Sequence, residues 1–118
     1  MSNQIKISRY ESIIQSVIND TIINEVNNKI VKFATVTAVK LSGDLSIAKV
    51  YLDCLDRNKI DNVVSETNRL KGLFRSKIAQ KLNTFRTPSL VFVSDESIDY
   101  ANKIENLFKE INSKKENN

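Results

Sequence analysis

The alternation of apolar and polar residues divides the chain into helical and extended segments. From Tyr10 to Ile22 the apolar residues recur every three or four positions, which is the spacing of one helical face. Ser8 and Glu11 match the capping box, in which the two side chains bond free amides at a helix start. The pattern therefore predicts a first helix from Ser8 to about Asn27.

The following segment has the two-residue period of β-strands. Threonine alternates with apolar residues in ATVTAV, residues 34–39, and β-branched side chains favour strands. The turn residues SGD at 42–44 separate this run from LSIAKVYLDC, residues 45–54, which alternates again. These two runs predict a β-hairpin.

Helical spacing returns over residues 57–82, with a change of phase at Gly72. Up to Leu70 the apolar residues follow one helical face, whereas from Phe74 to Leu82 they recur at steps of four. Because a helix turns by about 100° per residue, a stripe built on steps of four drifts by ~40° per step. The pattern therefore predicts two helices with a kink at Gly72 and an apolar stripe in the core after it.

The last third of the chain predicts one strand and one helix. Pro88, which a strand tolerates at its start, precedes the apolar run SLVFV at residues 89–93. Early acids and helical apolar spacing then predict a helix within SDESIDYANKIENLFKEI, residues 94–111. The element order is α-β-β-α-α-β-α, which predicts a two-layer α+β domain over residues 1–113 and a disordered polar tail over residues 114–118.

The residue inventory excludes most kinds of catalytic site. The chain has no histidine and one cysteine, Cys54, so Ser-His-Asp and Cys-His pairs are absent and a zinc site is not expected. Its two glycines, Gly43 and Gly72, cannot build a phosphate loop or a dinucleotide fingerprint. We therefore expect no enzyme activity, no catalytic residue, no metal and no cofactor.

The same inventory predicts where the protein works. The 118 residues contain no run of about eighteen apolar residues that would cross a bilayer, and the N-terminus lacks the apolar core of a secretory signal. A single cysteine fits a reducing compartment. We expect a cytoplasmic protein with no membrane partner.

The positive charge is concentrated in one segment, residues 68–94, which has no acidic residue. The net charge is +4, and outside this segment the 14 acidic residues outnumber the basic ones. A solvated helix face is the simplest explanation of such a run, whereas RNA contact explains why all of the excess charge lies beside the predicted kink. The predicted RNA-binding residues are Arg69, Lys71, Gly72, Arg75, Lys77, Lys81 and Arg86.

Three segments resemble one known family. The element order resembles the type II KH fold, and TVTAVKLSGDLSIAKVYL, residues 35–52, is similar to the hairpin of the bacterial ribosome-binding factor A family. PSLVFVSDESIDYANKIENLF, residues 88–108, is similar to that family's last strand and helix. Leu70, Lys71 and Gly72 match its kinked Ala-x-Gly motif, with leucine in place of alanine. The resemblance implies a three-stranded mixed sheet with the helices on one face.

The resemblance also implies a function. Members of this family bind the free 30S ribosomal subunit and not the 70S ribosome, and assist late maturation and 5′-end processing of 16S rRNA near its 5′-terminal helix. We expect a monomer that acts by non-catalytic RNA binding. Three alternatives stay open: a protein-interaction module that docks a ribosomal protein, a generic KH-like RNA-binding protein, and a small RNA-processing enzyme.

Overall fold

The computed structural model describes residues 2–82, 87–97, 103–104 and 106–109. Its long helices are α1 (Ser2–Asn24), α2 (Ile60–Arg69) and α3 (Lys71–Leu82). Its strands are β1 (Thr35–Leu41), β2 (Ile47–Asp53) and β3 (Ser89–Ser94). Two short 3-10 helices, Val31–Phe33 and Arg57–Lys59, precede β1 and α2. The order of these elements is the predicted one.

The three strands form one mixed sheet in the order β1-β2-β3. β1 and β2 pair antiparallel as the predicted hairpin, with a bulge between Val36 and Ala38, and β2 and β3 pair parallel. The chain crosses from β2 to β3 through α2 and α3, because parallel neighbours need a long connection. The predicted α+β class and the three-stranded mixed sheet are confirmed.

The core lies between one face of the sheet and the three long helices. Phe74, Ile78 and Leu82 of α3 are all buried, as their spacing predicts. The ring of Phe74 packs against that of Phe92 in β3, with the centroids 5.5 Å apart and the planes tilted by 58°. This aromatic pair joins α3 to the sheet.

An asparagine side chain bonds the backbone at each edge of the sheet. Asn19 of α1 accepts from the Val36 N–H at 2.9 Å, and Asn68 of α2 accepts from the Phe92 N–H at 3.1 Å. The Asn68 amide also donates to the Phe92 carbonyl at 3.1 Å. At these points the asparagines take the place of a further strand, so the edge groups are satisfied.

The first helix begins earlier than the capping box predicts. α1 starts at Ser2 and ends at Asn24, so the predicted start at Ser8 is wrong. The Glu11 carboxylate lies inside the helix and accepts from the Leu41 N–H of β1 at 2.8 Å. The Glu11 side chain, which the local pattern assigns to a helix cap, therefore bonds a residue thirty positions away.

The two helices predicted around Gly72 are present, and the break between them lies at Leu70. Leu70 adopts φ −96° and ψ 11°, and its N–H bonds the carbonyls of Asn68 and Thr67. Gly72 lies in the first turn of α3 and has no positive φ. The kink is therefore two residues earlier than predicted, because Leu70 makes the turn and the glycine does not.

The C-terminal helix falls only partly on described residues. Residues 96–97, 103–104 and 106–109 are helical, and the predicted tail at 114–118 lies outside the described part of the chain. Asp95 accepts from the Ser97 N–H at 3.0 Å and from the Thr37 hydroxyl at 2.6 Å. Hydrogen bonds from Ser97 and Thr37 lower the pKa of the Asp95 carboxyl below its usual value. Among the described helices, none is long and apolar enough to span a membrane.

Candidate nucleic-acid interface

The basic side chains of α3 lie on both sides of its buried stripe. Successive residues of a helix are about 100° apart, so residues four apart lie on the same side. Lys71 and Arg75 form one such pair, and Lys77 and Lys81 form another. The structure therefore divides the predicted basic contact residues of α3 into two groups instead of bringing them together on one surface.

The first pair is next to a shallow groove between α3 and the segment before β3, since Arg75 lines the groove and Lys71 directly precedes the lining residue Gly72. The groove has a volume of about 300 Å³ and is lined by Gly72, Arg75, Ser76, Ala79 and Thr87. A guanidinium nitrogen of Arg75 donates to the Thr87 carbonyl at 3.2 Å. Lys71 is exposed and makes no hydrogen bond or ion pair with the described residues. We call this feature the bend groove.

Gly72 leaves open space on the wall of the bend groove. A Cβ atom added there would meet no atom within 4 Å. Neither backbone strain nor internal packing requires a glycine at this position, since its φ is negative. A molecule that enters the groove can therefore approach the helix backbone closely at Gly72.

Two predicted contact residues are engaged by carboxylates. Arg69 pairs with Glu66 at 3.0 Å, and the Lys77 ammonium pairs with Glu25 of α1 at 2.8 Å. Although residues 68–94 contain no acidic residue, carboxylates from elsewhere in the fold neutralise part of their positive charge. Arg69 and Lys77 must leave or share a carboxylate to bind a phosphate, so they are weaker candidates than Lys71 and Arg75.

The remaining two predicted residues are Lys81 and Arg86. Lys81 is exposed beside a polar groove of about 500 Å³ between α1 and α3, which Asp20 and Glu25 also line. These carboxylates lower the positive potential on that side of α3. Arg86 lies outside the described residues.

The other chemically active side chains have structural partners. Cys54 is buried, donates to the Asp56 carbonyl at 3.1 Å, and desolvation raises the pKa of its thiol. Asp53 pairs with Arg57 at 2.8 Å, and the Asp56 carboxylate accepts from the Asn58 N–H at 3.1 Å. Within the described ranges no cluster of three or more histidine, cysteine or acidic side chains could hold a metal.

Comparison with known proteins places the chain among ribosome-associated proteins. The family model described as ribosome-binding factor A matches residues 6–108. The chain belongs to the ribosome-binding factor A family. A ribosome-binding factor A of Ureaplasma urealyticum is 49% identical over 111 residues, which cover 94% of this chain and 96% of that protein.

Two known structures, one solved in solution and one a fitted homology model, share the fold. A putative ribosome-binding factor from Mycoplasma pneumoniae, solved in solution, is 44% identical with a TM-score of 0.58, over 77% of this chain and 95% of that one. Thermus thermophilus ribosome-binding factor A, a homology model fitted into a cryo-EM map of a 30S complex, has a TM-score of 0.56. It is 19% identical and covers 76% of this chain and 91% of its own.

The sequence-based prediction missed an apolar groove at the opposite end of α2. Phe33 and Leu55 are 64% and 96% exposed, and both line this groove. In the sequence each lies between one apolar and one charged neighbour, so nothing in the local pattern marks it as exposed. The two residues are 22 positions apart, so only the fold shows that they lie together.

Proposed function

We propose that the chain binds rRNA of the free small ribosomal subunit through the bend groove, with Lys71 and Arg75 as its main phosphate contacts. Gly72 admits the RNA backbone, and Lys81, Arg86, Arg69 and Lys77 add outer contacts. Binding assists late maturation and 5′-end processing of 16S rRNA near its 5′-terminal helix. The chain acts as a cytoplasmic monomer, does no chemistry itself and does not bind the 70S ribosome.

The observation that carries this proposal is the pair of cations beside the bend groove. No carboxylate among the described residues pairs with Lys71 or Arg75, unlike their neighbours Arg69 and Lys77. Phosphates can therefore displace counterions and water here without breaking an ion pair. At Arg69 and Lys77 a phosphate gains less binding free energy, because an ion pair must first break.

The carbonyl of Thr87 prepares Arg75 for this role. A guanidinium has five N–H donors, and one nitrogen is used to hold the side chain at 3.2 Å from that oxygen. The other donors remain for a phosphate, which they can bind in a forked geometry. An arginine held in this way loses less side-chain entropy on binding than a free one.

Membership of the family supports the small subunit as the partner. The Thermus relative was fitted into the map of a 30S complex, and the Ureaplasma relative bears the family name over almost its whole length. Shape and backbone path would select the RNA, because the bend groove offers small side chains and cations in place of a set of base-reading groups.

The salt dependence of binding tests the bend groove. Removing both cations in Lys71→Ala plus Arg75→Ala should lower the slope of log affinity against log salt by roughly 1.5–2, the loss of two phosphate contacts. Co-sedimentation of purified protein with small subunits at several salt concentrations gives the slope. Lys40→Ala plus Lys49→Ala is the matched control, because it removes the same charge from exposed positions on β1 and β2.

The outcomes separate the competing functions. Equal slopes for the two double variants would remove the bend groove as the RNA site. Binding that survives digestion of the rRNA would favour a protein-interaction module. Repeated turnover of precursor rRNA by the purified chain would show an RNA-processing enzyme instead.

A further inference from the structure

A second surface lies at the N-terminal end of α2, away from the bend groove. Its cavity has a volume of about 540 Å³, and it lies between the segment around the first 3-10 helix, the turn after β2 and the start of α2. Its apolar walls are formed by Ile30, Phe33, Leu55 and Val63. We call it the apolar groove.

The rims of the apolar groove expose large side chains that their neighbours hold in place. Phe33 follows the buried Val31 by two residues, and Leu55 follows the buried Cys54 directly. The backbone on both sides is therefore fixed by the core, while the two side chains face water. Two such residues from different segments in the lining of one groove form an apolar site of the kind that binds a partner.

The charges at the apolar groove are mainly positive. Lys29 and Lys59 line it from two different segments. Asp56 is the acidic residue of the lining, and its carboxylate accepts from the Asn58 N–H at 3.1 Å. A partner whose apolar anchor is flanked by carboxylates would meet both lysines, which gives the complementarity that fixes an orientation.

The lining favours protein over RNA as the occupant. Single-stranded RNA is held mainly by aromatic platforms on which its bases stack. Here Phe33 is the one aromatic side chain of the lining, and the other apolar walls are aliphatic. Aliphatic pockets are filled by the apolar anchor residues of a protein segment.

We infer that the apolar groove binds an amphipathic segment of a second protein on the small-subunit particle, with an apolar anchor between Phe33 and Leu55 and carboxylates at Lys29 and Lys59. This inference rests on the proposed function, since that function brings the chain to the particle. The two lysines set the orientation of the segment. The bend groove stays free to contact rRNA at the same time.

Photo-crosslinking identifies the occupant. The full chain carries p-benzoylphenylalanine in place of Phe33, is bound to purified small subunits and is irradiated. The same label in place of Ile23, which is 71% exposed on α1, is the control. We expect a crosslink at position 33 to a protein segment with Asp or Glu next to apolar residues. A crosslink to rRNA, a crosslink to a lysine-rich or arginine-rich segment, or no crosslink on particles that retain the chain would overturn the inference.

Substitution of Leu55 measures the contribution of the groove. Leu55→Glu should weaken co-sedimentation at least fivefold without the drop of roughly 1.5–2 in salt slope expected for the bend-groove variant, because the two phosphate contacts are intact. Ile23→Glu should bind like the unsubstituted chain. Since Leu55 is 96% exposed, the melting temperature should stay the same in both variants. If the unsubstituted chain binds and Leu55→Glu binds equally well, this inference fails alone; if the unsubstituted chain does not bind small subunits, the proposed function fails first.

Discussion

The two ends of α2 present different chemistry to a partner. At the C-terminal end, where the chain bends at Leu70, Lys71 and Arg75 lie beside a groove with small side chains. At the N-terminal end, about 15 Å away along ten residues, Phe33 and Leu55 lie beside an apolar groove. One end suits a phosphate backbone and the other suits an apolar protein segment.

The two grooves differ in how they are assembled. Most of the bend groove comes from consecutive turns of α3, so a charge count along the chain finds it. The apolar groove is built from three segments that only the fold brings together. A surface made by one helix is therefore visible in a sequence, whereas a surface made by several loops is not.

Phe74→Ala tests whether both ends of α2 depend on one core. Phe74→Ala should destabilise the chain by about 3–5 kcal/mol, because it leaves a cavity against Phe92. Leu73→Ala, one residue earlier and 37% exposed, should cost less than about 1 kcal/mol. Urea denaturation gives both values.

The same denaturation experiment shows whether the two ends of α2 unfold together. One transition that removes helical signal and exposes Cys54 to a thiol reagent together would show that both grooves share a core. Two separated transitions in Phe74→Ala would mean that the ends of α2 unfold independently.

A smaller effect is expected from substitution of Asn68, which joins the C-terminal end of α2 to β3. Asn68→Ala should cost about 1–3 kcal/mol, because it leaves the N–H and carbonyl of Phe92 without their side-chain partner. Asn62→Ala, at an exposed position near the N-terminal end of the same helix, should change stability by less than about 0.5 kcal/mol. Thermal melts of the two variants compare the ends directly, and equal losses would contradict the assigned role of Asn68.

Substitution of Gly72 separates stability from binding at the bend groove. Gly72→Ala should stabilise the chain by roughly 0.5–1 kcal/mol, since alanine favours a helix and its Cβ meets no atom. We expect weaker co-sedimentation with small subunits, because the methyl group occupies the space of the RNA backbone. The reverse change on the same groove, Ala79→Gly, should lower the melting temperature and leave that space open. A stabilised Gly72→Ala that binds normally would show that close approach at residue 72 is not used.

The sequence predicts the order of the elements well because each element has its own apolar period. It misplaces the start of α1, because the Glu11 carboxylate bonds Leu41 in a distant strand and not its own helix end. The i, i+3 spacing of Glu66 and Arg69 is visible in the sequence, whereas the pair of Glu25 and Lys77 spans 52 positions. Charge compensation across the fold is therefore the part of the site that local patterns omit.

The asparagines at the sheet edges limit how the chain associates with other strands. A peptide that extended the sheet beside β3 would have to displace Asn68 from both backbone groups of Phe92. Beside β1 it would have to displace Asn19, together with the Gln15 amide that donates to the Val36 carbonyl at 3.2 Å. Strand addition is therefore disfavoured at these two positions, which protects a small exposed sheet from amyloid-like stacking with its own copies.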